Sequence, residues 1–252
     1  MAGQERKQNI HRQAGPPPDD RQRAGKGDLA AGPRLSVVIP TLNAAASLPA
    51  TLGPLAGVGE LVVADGASSD STRTLAASAG ARVIGAPRGR GQQLRAGAAA
   101  AHGAWLLFLH ADTRLDGAAL SALRRHIDDP GNRMRAAYFR FALDDPSRAA
   151  RRLERLVALR CRTLALPYGD QGLLVSRGLY DAVGGYAPIP LMEDVDLVRR
   201  IGRSRLVGLQ AAVVTSAERY RHRGYLRRGA RNLCILGLWF AGVPPRLLAR
   251  FY

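Results

Sequence analysis

Lysine is nearly missing from this chain. Of its 37 basic residues 35 are arginine, and the two lysines, Lys7 and Lys26, both precede the first long apolar run. A nucleotide-binding P-loop needs a Gly-Lys-Ser/Thr step and neither lysine stands in one, which excludes ordinary NTPases and small kinases. Cysteine is as scarce: Cys161 and Cys234 lie far apart without metal-type spacing, which argues against zinc and fits a reducing compartment. No G-x-G-x-x-G follows the first apolar run, so a nicotinamide or flavin enzyme is disfavoured. A Gly-x-Ser-x-Gly elbow is also missing, which disfavours an α/β-hydrolase. No apolar stretch approaches the ~20 residues that span a bilayer. Aromatics make up only 6% and are not interleaved with the basic runs, so base stacking has no platform despite the net charge of +17. The arginine bias, beside abundant Ala and Gly, reflects coding composition as much as a phosphate footprint. A basic face toward anionic lipid fits it at least as well as nucleic acid does.

What is present describes a globular enzyme-sized chain. Its 252 residues, 46% of them hydrophobic, suffice for one domain with a full core. Residues 1–33 are polar, rich in Gly, Pro, Gln and charge, and without the apolar core of a signal peptide. They read as a disordered leader of a cytoplasmic protein, or as an over-extended gene start. From Arg34 onward strand-like and helix-like segments alternate: strands at Leu35 to Ile39, Glu60 to Ala64, Ala81 to Ile84 and Trp105 to Leu109, helices at Ala44 to Leu55, after Asp70, and at Gly91 to Ala101. Leu120, Leu123 and Ile127 mark a further helix by their i, i+3, i+7 spacing. Such alternation implies a mostly parallel sheet with right-handed crossovers. Beyond Pro130 the expectation is a strand at Ala136 to Leu143, a basic helix at Ser147 to Thr163, a strand at Gln171 to Val175 and a helix at Glu193 to Ile201. One domain over 34–215 and a C-terminal helical extension over 216–252, packed on the domain or facing a membrane, is the simplest organisation.

Chemistry concentrates at the ends of the apolar runs. Trp105-Leu-Leu-Phe-Leu109 breaks into His110-Ala111-Asp112-Thr113, and Leu61-Val62-Val63-Ala64 ends on Asp65. In open α/β sheets ligands bind at the carboxyl ends of strands, so Asp112 stands where a metal or phosphate is handled. Asp65, following four apolar residues, reads as an unpaired carboxylate awaiting a donor from a base or ribose. Asp70 reads as a helix cap. A third acidic station, Glu193-Asp194-Val195-Asp196, follows a Gly/Pro-rich loop. Acids in a helix's first turn are electrostatically favoured whatever the function, but that does not account for the Gly184-Gly185-Tyr186 loop before them.

Ser36-Val-Val-Ile-Pro-Thr-Leu-Asn43, the Asp65 segment, His110-Ala-Asp112 and Glu193-Asp194 occur in the order that resembles family 2 glycosyltransferases of the GT-A fold. Arg88-Gly-Arg-Gly-Gln-Gln-Leu94 and Leu-His-Ala-Asp-Thr113 look closest to the transferases associated with radical-SAM/selenodomain gene clusters. The resemblance runs from about Leu35 to Ile201. It implies an α/β fold, GT-A in type, with a mostly parallel mixed sheet flanked by helices, and an inverting, metal-dependent transfer of sugar from a nucleotide-diphospho-sugar to a hydroxyl acceptor, which a lipid could carry.

By that resemblance Pro40, Thr41, Asn43 and Asp65 line the nucleoside pocket, with Arg90, Gln93, His110 and Ala111 also on the donor. Asp112 matches the last acid of the family's Asp-x-Asp motif and would hold Mn²⁺ or Mg²⁺. His110 replaces the first acid, a departure that leaves open whether it ligates the metal or hydrogen-bonds ribose. Asp194 matches the catalytic base, with Glu193 beside it. Glu193 and Asp196 are expected to push the Asp194 carboxyl upward if they share its site. Asp170 and Gln171 resemble the acceptor-side segment, an ordinary turn being the alternative. Arg88, Arg90 and Arg95 border the diphosphate side, although in so arginine-rich a chain solvated surface is the simpler role for each. The Gln-x-x-Arg-Trp signature of processive synthases is missing, which favours single transfer. Two rivals stay open: a sugar-nucleotide nucleotidyltransferase, and a non-enzymatic binder of anionic surfaces driven by charge.

Overall fold

The structure, a computed structural model, describes the backbone of residues 34–251 and all of their side chains except those of 219, 222, 223 and 226. The expected leader lies outside the described residues. The element order is β1 (Leu35–Thr41), α1 (Leu48–Leu52), β2 (Glu60–Asp65), α2 (Thr72–Ser78), β3 (Arg82–Gly85), α3 (Arg90–Ala100), β4 (Trp105–Phe108), β5 (Thr113–Leu115) and α4 (Gly117–Asp128). There follow β6 (Ala136–Leu143), α5 (Arg148–Leu164), β7 (Leu173–Ser176), α6 (Arg177–Ala182), α7 (Glu193–Ile201), β8 (Leu206–Thr215), α8 (Glu218–Arg223), α9 (Tyr225–Phe240) and α10 (Pro245–Leu248).

One eight-stranded sheet runs in the order β3-β2-β1-β4-β7-β6-β8-β5. Its first half, β3 to β4, is parallel throughout, as the apolar runs require: Val37, Val38 and Ile39 of β1 and Leu106 and Leu107 of β4 are fully buried because helices cover both faces. Each such side chain contributes roughly 1.5–3 kcal/mol by leaving water. The second half mixes directions. β7 is antiparallel to both β4 and β6, β8 runs parallel to β6, and β5 closes the edge antiparallel to β8. The sheet is therefore mixed, with parallel pairs in the majority, as the resemblance implies.

Local chemistry explains most boundaries. Ser147 and Asp116 accept the backbone N–H of Ala150 and Ala119 and start α5 and α4. Asp70 works from one residue upstream of the cap position: its carboxylate takes the Thr72 amide at 3.0 Å and the Thr72 hydroxyl, and also the Ala45 amide at 3.1 Å. The expected helix over Ala44 to Leu55 is shorter, since Pro49 sets the start of α1 and Gly53-Pro54 converts its end to a 3₁₀ turn. The expected strand from Gln171 begins only at Leu173, because Gly169–Gln171 forms a 3₁₀ turn and Gly172 takes φ +64°. β8 is the largest element not anticipated, although Leu209, Ala211, Val213 and Thr215 alternate with more exposed neighbours.

The C-terminal helices pack on the sheet domain. Ile235, Leu236 and Leu248 are buried against Leu166, Met192, Val195 and Val198, so α9 covers α7. Among the described residues no helix is long and apolar enough to cross a membrane. Gly91 shows how tightly the layers meet: a Cβ there would stand 2.6 Å from the Ala187 carbonyl oxygen and 2.8 Å from that of Ile189. Gly91→Ala is expected to push back the loop leading to α7 and to lower the melting temperature, by about 1–3 kcal/mol of stability in a denaturant titration.

Candidate active site

Two clusters form at the carboxyl ends of the strands. The first is built by β1 and β2. Asp65 ends β2 buried, and its carboxylate accepts the Thr41 hydroxyl at 2.9 Å, the Ser68 amide at 2.9 Å and the Ser68 hydroxyl at 2.5 Å. Burial opposes its charge, but the Ser68 and Thr41 hydrogen bonds, with the Arg73 charge, hold the carboxyl below the usual range. Asp65 is thus already partnered by the protein, and the expectation of an unpaired carboxylate is corrected. Asn43, exposed and at φ +50°, takes the Ser69 amide on its side-chain oxygen at 2.8 Å, while its own amide donates to the Ser68 hydroxyl at 2.9 Å. Pro40 is half-buried beside it. The neighbouring Ala67 also carries a positive φ of +65°, a conformation that a residue with a Cβ adopts only when its surroundings enforce it.

Gln93 differs from its expected role on the donor. Its side-chain amide donates to the Thr41 carbonyl at 2.6 Å and the Ala64 carbonyl at 2.9 Å, so both N–H groups are spent holding β1 against β2. It braces the first cluster from behind. Arg90, one turn earlier on α3, lies 3.5 Å from the Glu193 carboxylate, so α3 ties the first cluster to the second.

The second cluster lines one cleft, and Arg90, His110, Asp112, Asp170, Glu193 and Asp194 all face it. Met192 enters α7 at φ +65°, a strained turn that delivers Glu193 and Asp194 in the helix's first turn. The Asp194 carboxylate is pinned on both oxygens, by the Gly169 amide at 2.7 Å and the Val195 amide at 2.8 Å. Gly169 fits because it has no side chain: a Cβ there would stand 2.8 Å from His110 Nε2 and 3.5 Å from Asp194 Oδ2. His110, two residues beyond β4, and Asp194, the second residue of α7, therefore converge on one point. Ala111 is held from the other side, its carbonyl accepting the Thr51 hydroxyl at 3.0 Å.

The elevated acid of the pair is Glu193. Burial first, and then the Asp194 charge, push its carboxyl up to about 7 against the opposing pull of Arg90. Asp196 does not share the site; it binds Arg200 at 2.6 Å on the outer side of α7. Asp170 does: burial, together with the Asp194 and Asp112 charges, lifts it to about 6 against Arg160 and Arg90, and its Oδ1 is sealed from solvent without a hydrogen-bond partner among the described residues. Gln171 turns the other way. Its amide donates to the Phe139 carbonyl and accepts from Arg160 and the Tyr168 amide, fixing the turn rather than facing a ligand.

Sequence reasoning missed the far wall. Tyr168, with the Arg160 guanidinium 3.4 Å over its ring, and Tyr220, Arg228 and Asn232 from α8 and α9 also line the cleft. Arg228 packs 4.8 Å over the Tyr220 ring. The available signal was compositional: no acidic residue follows Glu218.

Among the described residues no three His, Cys, Asp or Glu side chains gather closely enough to cage a cation. His110 and Asp112 in a common cleft nevertheless suit a cation that takes its remaining ligands from a bound diphosphate, the usual manner for Mg²⁺.

A family model described as Glycosyl transferase family 2 matches residues 36–189. An uncharacterized glycosyltransferase of Mycobacterium bovis is 37% identical over 99 residues, 39% of this chain and 45% of that protein. A PGL/p-HBAD biosynthesis glycosyltransferase of Mycobacterium tuberculosis is 42% identical over 96 residues, 34% of this chain and 38% of that protein. The chain thus matches less than half the length of either relative. Among solved structures, Staphylococcus aureus TarS 1–349 with UDP superposes with a TM-score of 0.58 at 16% identity, covering 73% of this chain and 60% of that one. Glucosyl-3-phosphoglycerate synthase from Mycobacterium tuberculosis, in complex with Mn²⁺, UDP and glucosyl-3-phosphoglycerate, superposes with a TM-score of 0.50 at 22% identity over 74% of this chain and 71% of that one. These likenesses show a shared GT-A fold.

Proposed function

The chain belongs to glycosyl transferase family 2, and from that premise we propose that it moves a sugar from a nucleotide-diphospho-sugar to a hydroxyl acceptor by an inverting, metal-assisted displacement. The carrying observation is the Asp194 carboxylate, pinned by two backbone amides and set at one convergence point with His110. Each carboxylate oxygen keeps a second acceptor site, so Asp194 can also take the proton of an incoming hydroxyl. In this reading the acceptor oxygen attacks the anomeric carbon, the bond from that carbon to the diphosphate oxygen breaks, and the acceptor's proton passes to Asp194.

The first cluster serves the nucleoside. Thr41, Asn43 and Asp65 form a hydrogen-bonded rim at the ends of β1 and β2, with Pro40 beside them, and Gln93 keeps that rim in register. Asp112, with His110 beside it, would hold Mn²⁺ or Mg²⁺ against the diphosphate; a divalent ion there offsets the negative charge that grows on the leaving group. Arg90 supplies a fixed positive charge on the same wall. Asp170 faces the cleft on the acceptor side. The resemblance of the Arg88 to Leu94 segment supports a place among the radical-SAM/selenodomain-associated transferases. Free Cys161 and Cys234 fit a cytoplasmic setting. A nucleotidyltransferase usually carries a Gly-rich loop with Arg and Lys after the first strand, and here that loop is Thr41-Leu42-Asn43.

Thermal shift against UDP, GDP, CDP and dTDP, with and without Mn²⁺, tests the reading. One nucleotide should raise the melting temperature in a metal-dependent way; at a concentration 100-fold above its Kd it adds about 2.7 kcal/mol. Asp112→Ala should remove the metal-dependent part and keep the fold. No shift with any nucleotide would overturn the donor assignment.

A further inference from the structure

We propose that the outer faces of α5 and α9 form a docking surface for an anionic lipid bilayer, lying in its interface rather than crossing it. The cleft-facing side of α9 carries Arg228, Asn232 and Ile235. Turned away from it, Leu233 is 70% exposed and, at the helix end, Phe240 50%, while Leu238, three residues beyond Ile235, stands 42% exposed nearer the cleft-facing side. Leu247 and Phe251 continue the exposed apolar set at 45% and 74%. From Asn232 to Pro245 the sequence holds no charged residue. Neighbouring α5 repeats the pattern. Ala150, Leu153 and Val157 pack inward with Tyr220 and Tyr225, while Leu156 and Leu159 stand outward, 63% and 54% exposed.

Charge selects the partner. Residues 219–252 contain eight arginines and no acid, and α5 carries six arginines against Glu154 alone, which Arg151 already pairs at 2.7 Å. Arg152, Arg155, Arg227, Arg246 and Arg250 are exposed around the leucines. Exposed leucine and phenylalanine ringed by arginine, with Glu154 paired to Arg151, is the composition that buries apolar side chains at the headgroup boundary and holds anionic lipid by charge. A second copy of this chain would bring the same positive face and repel it. Because α9 forms both the cleft wall and this surface, a docked molecule would present its acceptor side beside the bilayer.

Flotation of the full-length protein with phosphatidylcholine vesicles, with and without phosphatidylglycerol, tests this independently of turnover. Binding should require phosphatidylglycerol and fall with added salt. Arg152→Gln, Arg155→Gln and Arg227→Gln should each weaken it about fivefold. Leu233→Asp with Leu238→Asp should abolish it while leaving the circular dichroism and nucleotide thermal shift unchanged. Failure to bind anionic vesicles at low salt would overturn the proposal. So would binding unaltered by the double leucine variant, or a dimer in solution that this variant dissociates. None of these results bears on the transferase chemistry, which the nucleotide shifts test.

Discussion

Asp194→Asn should lower the turnover number by about 10²–10⁴, the range that a positioned general base supplies, while the donor Kd changes by less than about twofold. Asparagine keeps the size of the side chain and one acceptor oxygen, so one of the two backbone amides that pin Asp194, from Gly169 and Val195, keeps its partner. What it loses is the capacity to take a proton. The donor side is untouched, since Asp65 bonds Thr41 directly and Asn43 through Ser68, in the first cluster rather than on the Asp194 carboxylate. Steady-state transfer, or slow donor hydrolysis with water in the acceptor's place, reads the first quantity, and nucleotide titration reads the second. A variant that keeps its rate removes Asp194 as the base and moves the role to Glu193 or Asp170, the other carboxyls in the cleft. A variant that loses rate and donor affinity together would mean that the Gly169 turn had shifted, carrying the neighbouring His110 side with it.

The sequence made the parallel half of the sheet legible because its strands are buried on both faces and read as unbroken apolar runs. Val37 to Ile39 and Leu106 to Leu109 have no other stable home. The mixed half was harder. β8 is half-buried, its alternation is diluted by Ala211 and Ala212, and its pairing with β6 joins segments some 70 residues apart, which local pattern does not encode. In the site, the acids were findable because they end apolar runs, but their partners were not. Nothing local says that Ser68 and Thr41 saturate Asp65, or that the Gln93 and Gln171 amides are consumed by backbone carbonyls. A polar side chain after a strand looks the same whether it faces a ligand or braces a neighbour. Only the fold decides, by supplying or withholding a partner. The same holds for α9, whose two faces lie in one amphipathic stretch but meet different surroundings.

Glu193→Gln should be more heat-stable than the parent protein at pH 8 and lose that advantage by pH 5. Glu193 titrates near 7 in the folded chain against 4.5 as its reference, because burial and the Asp194 charge both favour its neutral form. The folded state therefore holds this proton more tightly than the unfolded state does. Stability linked to it is fully present below about 4.5 and is lost as the pH rises toward and through 7. The full difference is worth at most about 3 kcal/mol at 1.36 kcal/mol per pH unit, and Arg90 at 3.5 Å already moderates it. A glutamine never charges, so it escapes the loss at alkaline pH. The expected gain is about 5 °C in melting temperature at pH 8. Asp170→Asn should behave alike with its window moved down, since that carboxyl sits near 6. Two carboxyls that weaken the fold when ionised, in the cleft that also holds Asp194, mark a place where the chain gives up stability for charge. That charge also bears on catalysis: ionised Glu193 adds a negative charge to the cleft, which favours the positive charge that builds at the anomeric carbon as the diphosphate leaves. The transfer rate should therefore rise through an inflection near pH 7 that Glu193→Gln erases. An inflection that survives in the variant would assign it to another group, with Asp170 the next to test.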